Sequence, residues 1–174
     1  MIILIINIIK VLLILALFIY VLQRKDKDYL LKIAFLFTLA SDVILAIATA
    51  NNIDSLLPVG TMVFCFAQLA YFCRHCPHKT FLKIYLPLIL TALFIPNIFV
   101  YSAVYAITEV FNLIFTLKQD RRTALGFALF IACDLCIVIG FVGLVPESIT
   151  SWLCWIFYLP AQILLAISKE PVLK

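Results

Sequence analysis

Charge is what this sequence has least of. Asp, Glu, Lys and Arg make up 13% of its 174 residues, whereas 66% are hydrophobic. A soluble domain is nearer half apolar and about a quarter charged. The composition therefore excludes an ordinary soluble enzyme, a disordered chain and a nucleic-acid-binding domain. Glycine is scarce as well, at four residues, and there is no glycine-rich phosphate loop, GxSxG elbow or HExxH helix. Low-complexity tracts and polar linkers are also missing. At about 20 residues per bilayer crossing, the chain has room for seven or eight helices and short connections. Residues 1–174 read as a single transmembrane domain.

What is there is a series of seven apolar segments, 2–22, 29–50, 56–73, 81–99, 101–118, 123–144 and 150–168, parted by charged or Pro/Asn-containing breaks. The expected fold is all-α, a polytopic integral membrane bundle of seven transmembrane helices. The first segment has no basic stretch before it and no small-residue cleavage site, so it reads as a retained helix. Lys and Arg collect on the cytoplasmic side of short loops. Arg24, Lys25 and Lys27 stand in the first break, with Lys32 just beyond. Arg74, Lys79 and Lys83 flank the third, Lys118, Arg121 and Arg122 the fifth, and Lys169 and Lys174 follow the last span. The second, fourth and sixth breaks hold no basic residue. This alternation predicts a multi-pass protein with its N-terminus outside and its C-terminus in the cytoplasm, in the cell membrane if the source is bacterial.

Four ionisable residues break the apolar pattern inside spans: Lys10, Asp42, Glu109 and Asp134. Each costs roughly 2.5–3.5 kcal/mol near a helix centre, so each is expected to face the bundle interior and find a partner. At about 1.5 Å per residue they share one depth, on the order of 12–15 Å from the outer surface. Polar stripes of helical period join them. Tyr101, Tyr105, Thr108, Glu109 and Asn112 share one face of the fifth segment. Thr61, Phe64, Gln68 and Tyr71 line the third, and Ser151, Trp155, Tyr158 and Gln162 the seventh. Asn7 stands beside Lys10, and Thr38 and Ser41 beside Asp42. Such stripes predict a buried polar cavity. The plainer reading is a structural ion pair with interhelical hydrogen bonds. Three carboxyls and one ammonium cannot all be ionised cheaply in a low dielectric, an arrangement suited to general acid/base chemistry or to proton-coupled transport.

The six cysteines lie in or beside apolar runs and do not read as a disulfide framework. Cys73-Arg74-His75-Cys76-Pro77-His78 has ligand-like spacing, but no second ligand pair stands in a matching loop, so no metal is expected. Cys133 and Cys136 read as small packing residues. Ser41-Asp42 and Cys133-Asp134 echo each other without establishing a repeat.

Taken in order, these residues resemble the YhhN family of membrane proteins, whose known members are lysoplasmalogenases. The family pattern runs through a Lys-Pro, a Gly/Ser-Asp helix, a Phe-x-x-x-His-x-x-Tyr helix, a tyrosine-bearing helix, a Gly-Ala-x-x-Phe-x-x-Ser-Asp helix and a closing Tyr-x-x-x-Gln. Lys10, Ser41-Asp42, Phe64 to Tyr71, Gly126 to Asp134 and Tyr158 to Gln162 stand in the matching places. Val11 replaces the proline, Cys133 the serine and Gln68 the histidine, and family members usually have eight helices. The resemblance implies hydrolysis of the vinyl ether bond of a lysoplasmalogen to a fatty aldehyde and a glycerophospho-ethanolamine or -choline, with no cofactor and no metal. It implies Asp42 and Asp134 as catalytic acid and base. Lys10, Gln68, Tyr71, Tyr105, Glu109, Asn112, Tyr158 and Gln162 would line the cavity. The expected partners are a lysophospholipid substrate and membrane lipid, with no nucleic acid; head group, oligomeric state and the identity of the acid stay open.

Overall fold

A computed structural model describes residues 2–76 and 97–171, with positions 83, 87, 88, 90, 91, 94 and 95 between them; side chains 1–6, 147 and 148 are not described. Six helices occupy the described residues: α1 (Ile2–Gln23), α2 (Tyr29–Asn51), α3 (Leu56–His75), α4 (Ile98–Leu117), α5 (Arg121–Phe141) and α6 (Glu147–Ala166). No strand occurs among them. Six of the seven expected segments are recovered; of the fourth, 81–99, nine of the nineteen positions lie outside the described residues, and positions 83, 87, 88, 90, 91 and 94 are helical. Its last two positions belong instead to α4. That helix starts at Ile98 rather than 101 because the Asn97 side chain accepts a hydrogen bond from the Phe99 N–H at 2.8 Å. Asp28 and Asp120 cap α2 and α5 in the same way, and α2 ends where Asn52 turns left-handed at φ 53°.

Among the described residues, five helices are long and apolar enough to cross a membrane, from α2 to α5 and Ile149–Ala166 of α6; Asn7–Gln23 of α1 is a shorter apolar helix. Their outer faces carry exposed Ile8, Leu12, Leu125, Phe141 and Trp152, while Thr38, Ser41, Asp42, Gln68, Glu109, Asn112 and Gln162 are buried. Polar inside and apolar outside is what a hydrocarbon solvent demands. The chain is a multi-pass helical membrane protein.

Neighbours in sequence pack in order, and α6 returns to α1, closing a ring. Small residues allow the close approaches. A Cβ on Gly60 of α3 would come 2.6 Å from the Leu45 side chain of α2, and the buried carbonyl of Gly60 accepts from Ser41 Oγ at 2.8 Å. Contacts between Gln68 and Asn112 and between His75 and Gln119 show that α3 and α4 run parallel. Lys10 with Tyr158 and Arg24 with Ala166 show the same for α1 and α6.

One end of the ring is closed by a buried polar network. Arg74 Nε donates to Asp28 Oδ2 at 2.8 Å, Nη1 donates to Ser168 Oγ at 2.9 Å and Nη2 to the Lys169 carbonyl at 2.7 Å. Nη1 also lies 3.0 Å from His75 Nε2, which must then accept, leaving Nδ1 to donate to Gln119 Oε1 at 3.1 Å. Arg24 Nη1 reaches the Ala166 carbonyl at 2.6 Å. The basic segments that the sequence places on one side thus meet at one end of the bundle.

Candidate functional site

Lys10 of α1, Asp42 of α2 and Tyr158 of α6 form the first cluster. The ammonium lies 2.6 Å from Asp42 Oδ1, the Tyr158 hydroxyl donates to Oδ2, and the same ammonium sits 4.3 Å from the Tyr158 ring centroid. Asp42 has no exposed side-chain surface, whereas Lys10 keeps 28%. A carboxylate held by a cation and a phenol is fixed in orientation as well as compensated in charge. The cation–π contact adds to both.

The second cluster joins α4 to α5. Tyr105 and Glu109 of α4 and Lys10 of α1 all lie near enough to Asp134 of α5 to interact with it electrostatically. A row of rings parts the two clusters. Tyr158 stacks on Phe130 at 5.5 Å, Phe130 on Phe64 at 5.7 Å, and Phe64 meets Tyr105 edge-on at 5.3 Å. A third group lies deeper, where Asn112 Nδ2 donates to Gln68 Oε1 at 2.9 Å and to the Gln68 carbonyl at 3.2 Å. Tyr71 is wedged between Phe35 and Phe127. Among the described residues its hydroxyl, Gln68 Nε2, Asn112 Oδ1 and both amide atoms of Gln162 are buried without a partner.

An open cleft of about 170 Å³ lies between α1, α5 and α6, bordered by Asn7, Lys10, Cys133, Ser151, Trp155 and Tyr158 among others. Lys10 and Tyr158 border the cleft, while Asp42, Gln68, Tyr71, Tyr105, Glu109, Asn112, Asp134 and Gln162 are not among the residues lining it. Phe64 and Phe130 stand in ring contact between Tyr105 and Tyr158; helical period reports a face but not what stands opposite it. The reading also missed Asp28, Arg74, His75, Gln119 and Ser168, because charged and polar residues at helix ends look like solvated boundaries. The one available signal was Asp28 set directly before an apolar run, the pattern of a helix cap. Among the described residues no three His, Cys, Asp or Glu side chains are placed to hold a metal ion, and His78 of the ligand-like hexapeptide lies outside them.

The chain matches the YhhN family over residues 6–169, from the first turns of α1 to just beyond α6. It belongs to the YhhN family. No curated protein and no solved structure matches it. The YhhN match takes in Lys10, Asp42, Glu109, Asp134, Tyr158 and Gln162 together, so every residue of the two charged clusters lies within it.

Proposed function

We propose that this YhhN protein is a lysoplasmalogenase-like hydrolase that cleaves the vinyl ether bond of a lysoplasmalogen inside the membrane. The observation that carries the reading is Asp42, a carboxylate fixed by Lys10 and Tyr158, which themselves border a cleft together with Cys133, the residue next to Asp134. Cleavage starts with proton transfer to the β-carbon of the vinyl ether, which leaves an oxocarbenium-like cation. Water adds to the adjoining carbon and loses a proton, and the hemiacetal collapses to a fatty aldehyde and the glycerol hydroxyl. One carboxylic acid and one carboxylate suffice, a division of labour also seen in glycosidases. Asp42 and Asp134 are the two carboxyls.

Substrate geometry follows from size. A cleft of about 170 Å³ is below the 300–1,000 Å³ usual for a drug-sized ligand, so it admits the reacting end of the amphiphile while the alkyl tail stays in lipid. Exposed Leu12 and Ile156 on the flanking helices offer that tail an apolar surface, and Asn7 and Ser151 offer hydrogen bonds to the glycerol or head group. With seven spans and the N-terminus outside, the cleft opens toward the outer leaflet.

A second reading, a small proton-coupled transporter, is favoured by one feature. Unpartnered polar atoms continue inward from the acids through Gln68, Asn112 and Gln162, as a relay would need. Purified protein given a lysoplasmalogen should release fatty aldehyde, and should leave the saturated ether analogue intact. Asp42→Asn and Asp134→Asn, each shown to be folded, should lower turnover by at least about 100-fold. No aldehyde from the wild-type protein, together with proton-dependent flux in proteoliposomes, would replace the hydrolase by the transporter.

A further inference from the structure

Two residues bordering the cleft are cysteines, and the proposed hydrolysis uses neither. Cys133 of α5 and Cys154 of α6 both line it, and both are free of disulfides. The Cys154 thiol donates to the Cys133 carbonyl oxygen at 3.5 Å. It also packs on the apolar cluster that holds Ile14, Phe130, Cys133, Tyr158 and Ala161. The contact between α5 and α6 aims the other thiol. Gly126, Cys133 and Gly140 stand seven residues apart, and positions at that interval share a helix face to within about 20°. A Cβ on Gly126 would come 3.2 Å from the Leu165 side chain, and one on Gly140 2.6 Å from Thr150 Oγ1. That face of α5 therefore lies against α6, with the two helices antiparallel. Cys133, midway between the glycines, points its side chain at the stretch of α6 between Thr150 and Leu165, which contains Cys154 and Tyr158. Glycines on both flanks also bring the backbones close. A bridge needs this, because cysteines whose Cα atoms are more than about 7 Å apart cannot be joined without backbone movement. Cys136 is about 60° round the helix from Cys133 and is not among the residues lining the cleft.

We propose that Cys133 and Cys154 are an oxidative modification site, which closes to a disulfide when an organic hydroperoxide enters the cleft from lipid. Cys154 is half-buried and Cys133 only 4% exposed, so Cys154 reacts first and Cys133 resolves the product. The Cys154 sulfur attacks the terminal peroxide oxygen; an S–O bond forms, the O–O bond breaks and an alcohol leaves. The Cys133 sulfur then attacks the resulting sulfenic acid; an S–S bond forms, the S–O bond breaks and water leaves. Two thiols are oxidised and one hydroperoxide is reduced, and the two thiol protons end on the alcohol and the water. The Lys10 ammonium borders the same cleft and offers a positive charge to the attacking thiolate. With the N-terminus outside, both sulfurs sit in the outer half of the bundle, away from the cytosolic thiols that keep disulfides reduced. The bond ties α5 to α6 one turn from Tyr158. None of this depends on the vinyl ether chemistry, because the pair is set by helix packing alone.

The test treats the purified protein in lipid–detergent micelles with cumene hydroperoxide. Treatment should remove at least two of the six titratable thiols, and a reducing phosphine should restore them. Peptide mapping without reduction should find Cys133 joined to Cys154 within one chain. Cys154→Ala and Cys133→Ala, each shown by circular dichroism to be folded, should leave the remaining partner open to alkylation once the treated protein is unfolded. The wild-type map decides the matter even where a variant fails to fold. A Cys154 left free, or carried on to a sulfinic acid with Cys133 unbonded, would overturn the proposal. A bond from Cys154 to Cys136, or between two chains, would overturn it as well.

Discussion

Replacing Lys10 by methionine isolates the ion pair beside the cleft. The ammonium is 2.6 Å from Asp42 Oδ1, and Asp42 has no exposed side-chain surface, so the variant leaves a carboxylate buried with the Tyr158 hydroxyl as its remaining donor. Breaking a buried pair by removing one partner costs about 3–5 kcal/mol. Lys10 keeps 28% of its side chain exposed and Met restores the apolar stem, which places the loss at the low end, about 3 kcal/mol. Asp42→Asn removes the charge that needs compensation, so the double variant should lose much less than the sum of the two single variants. The expected coupling is about 2 kcal/mol. Reversible unfolding in mixed micelles, followed by circular dichroism for all four proteins, gives the cycle. A coupling indistinguishable from zero would show that Lys10 stabilises the bundle through packing and the Tyr158 ring rather than through Asp42.

Two further outcomes follow from the ends of the helices. The Thr123 hydroxyl, 2.6 Å from Asp120 Oδ2, outweighs burial and with the N–H groups of Arg122 and Thr123 holds the Asp120 carboxyl below the usual carboxylate range. Its stabilising effect is therefore complete above about pH 4, the unfolded value, and is lost as pH falls through the lower folded value. Asp120→Ala should cost about 1 kcal/mol at neutral pH, with a gap to wild type that narrows in acid; a gap constant from pH 7 to below about pH 3 would remove the capping carboxylate from the account. A reporter fused after Lys174 should be active on the cytoplasmic side only. Because α3 runs parallel to α4 and α1 to α6, activity on the outer side would invert the whole bundle and turn the cleft toward the inner leaflet.

The sequence alone decides a good deal about this protein. With 66% hydrophobic residues, the chain has no other solvent than lipid, and backbone satisfaction in lipid leaves helices as the form for such runs. Helix ends are nearly as legible, because Asp28, Asn97 and Asp120 cap through contacts within three residues. The burial of Asp42 and Glu109 was readable too, since a charge in an apolar run has nowhere else to go. What sequence could not decide is partnership. Asp42 and Asp134 stand at similar depth with helical stripes of similar polarity, and nothing local to either tells which one Lys10 meets. That choice depends on the rotation of α1 against α2 and α6, and on Phe64 and Phe130, which stand between the clusters and come from helices far apart in the chain. The same holds for Arg74, whose partners Asp28 and Ser168 are 46 and 94 residues away. Periodicity fixes which face of a helix is polar, but only the packed ring of helices fixes what each polar face touches, because that contact is a property of two helices and their crossing rather than of either sequence.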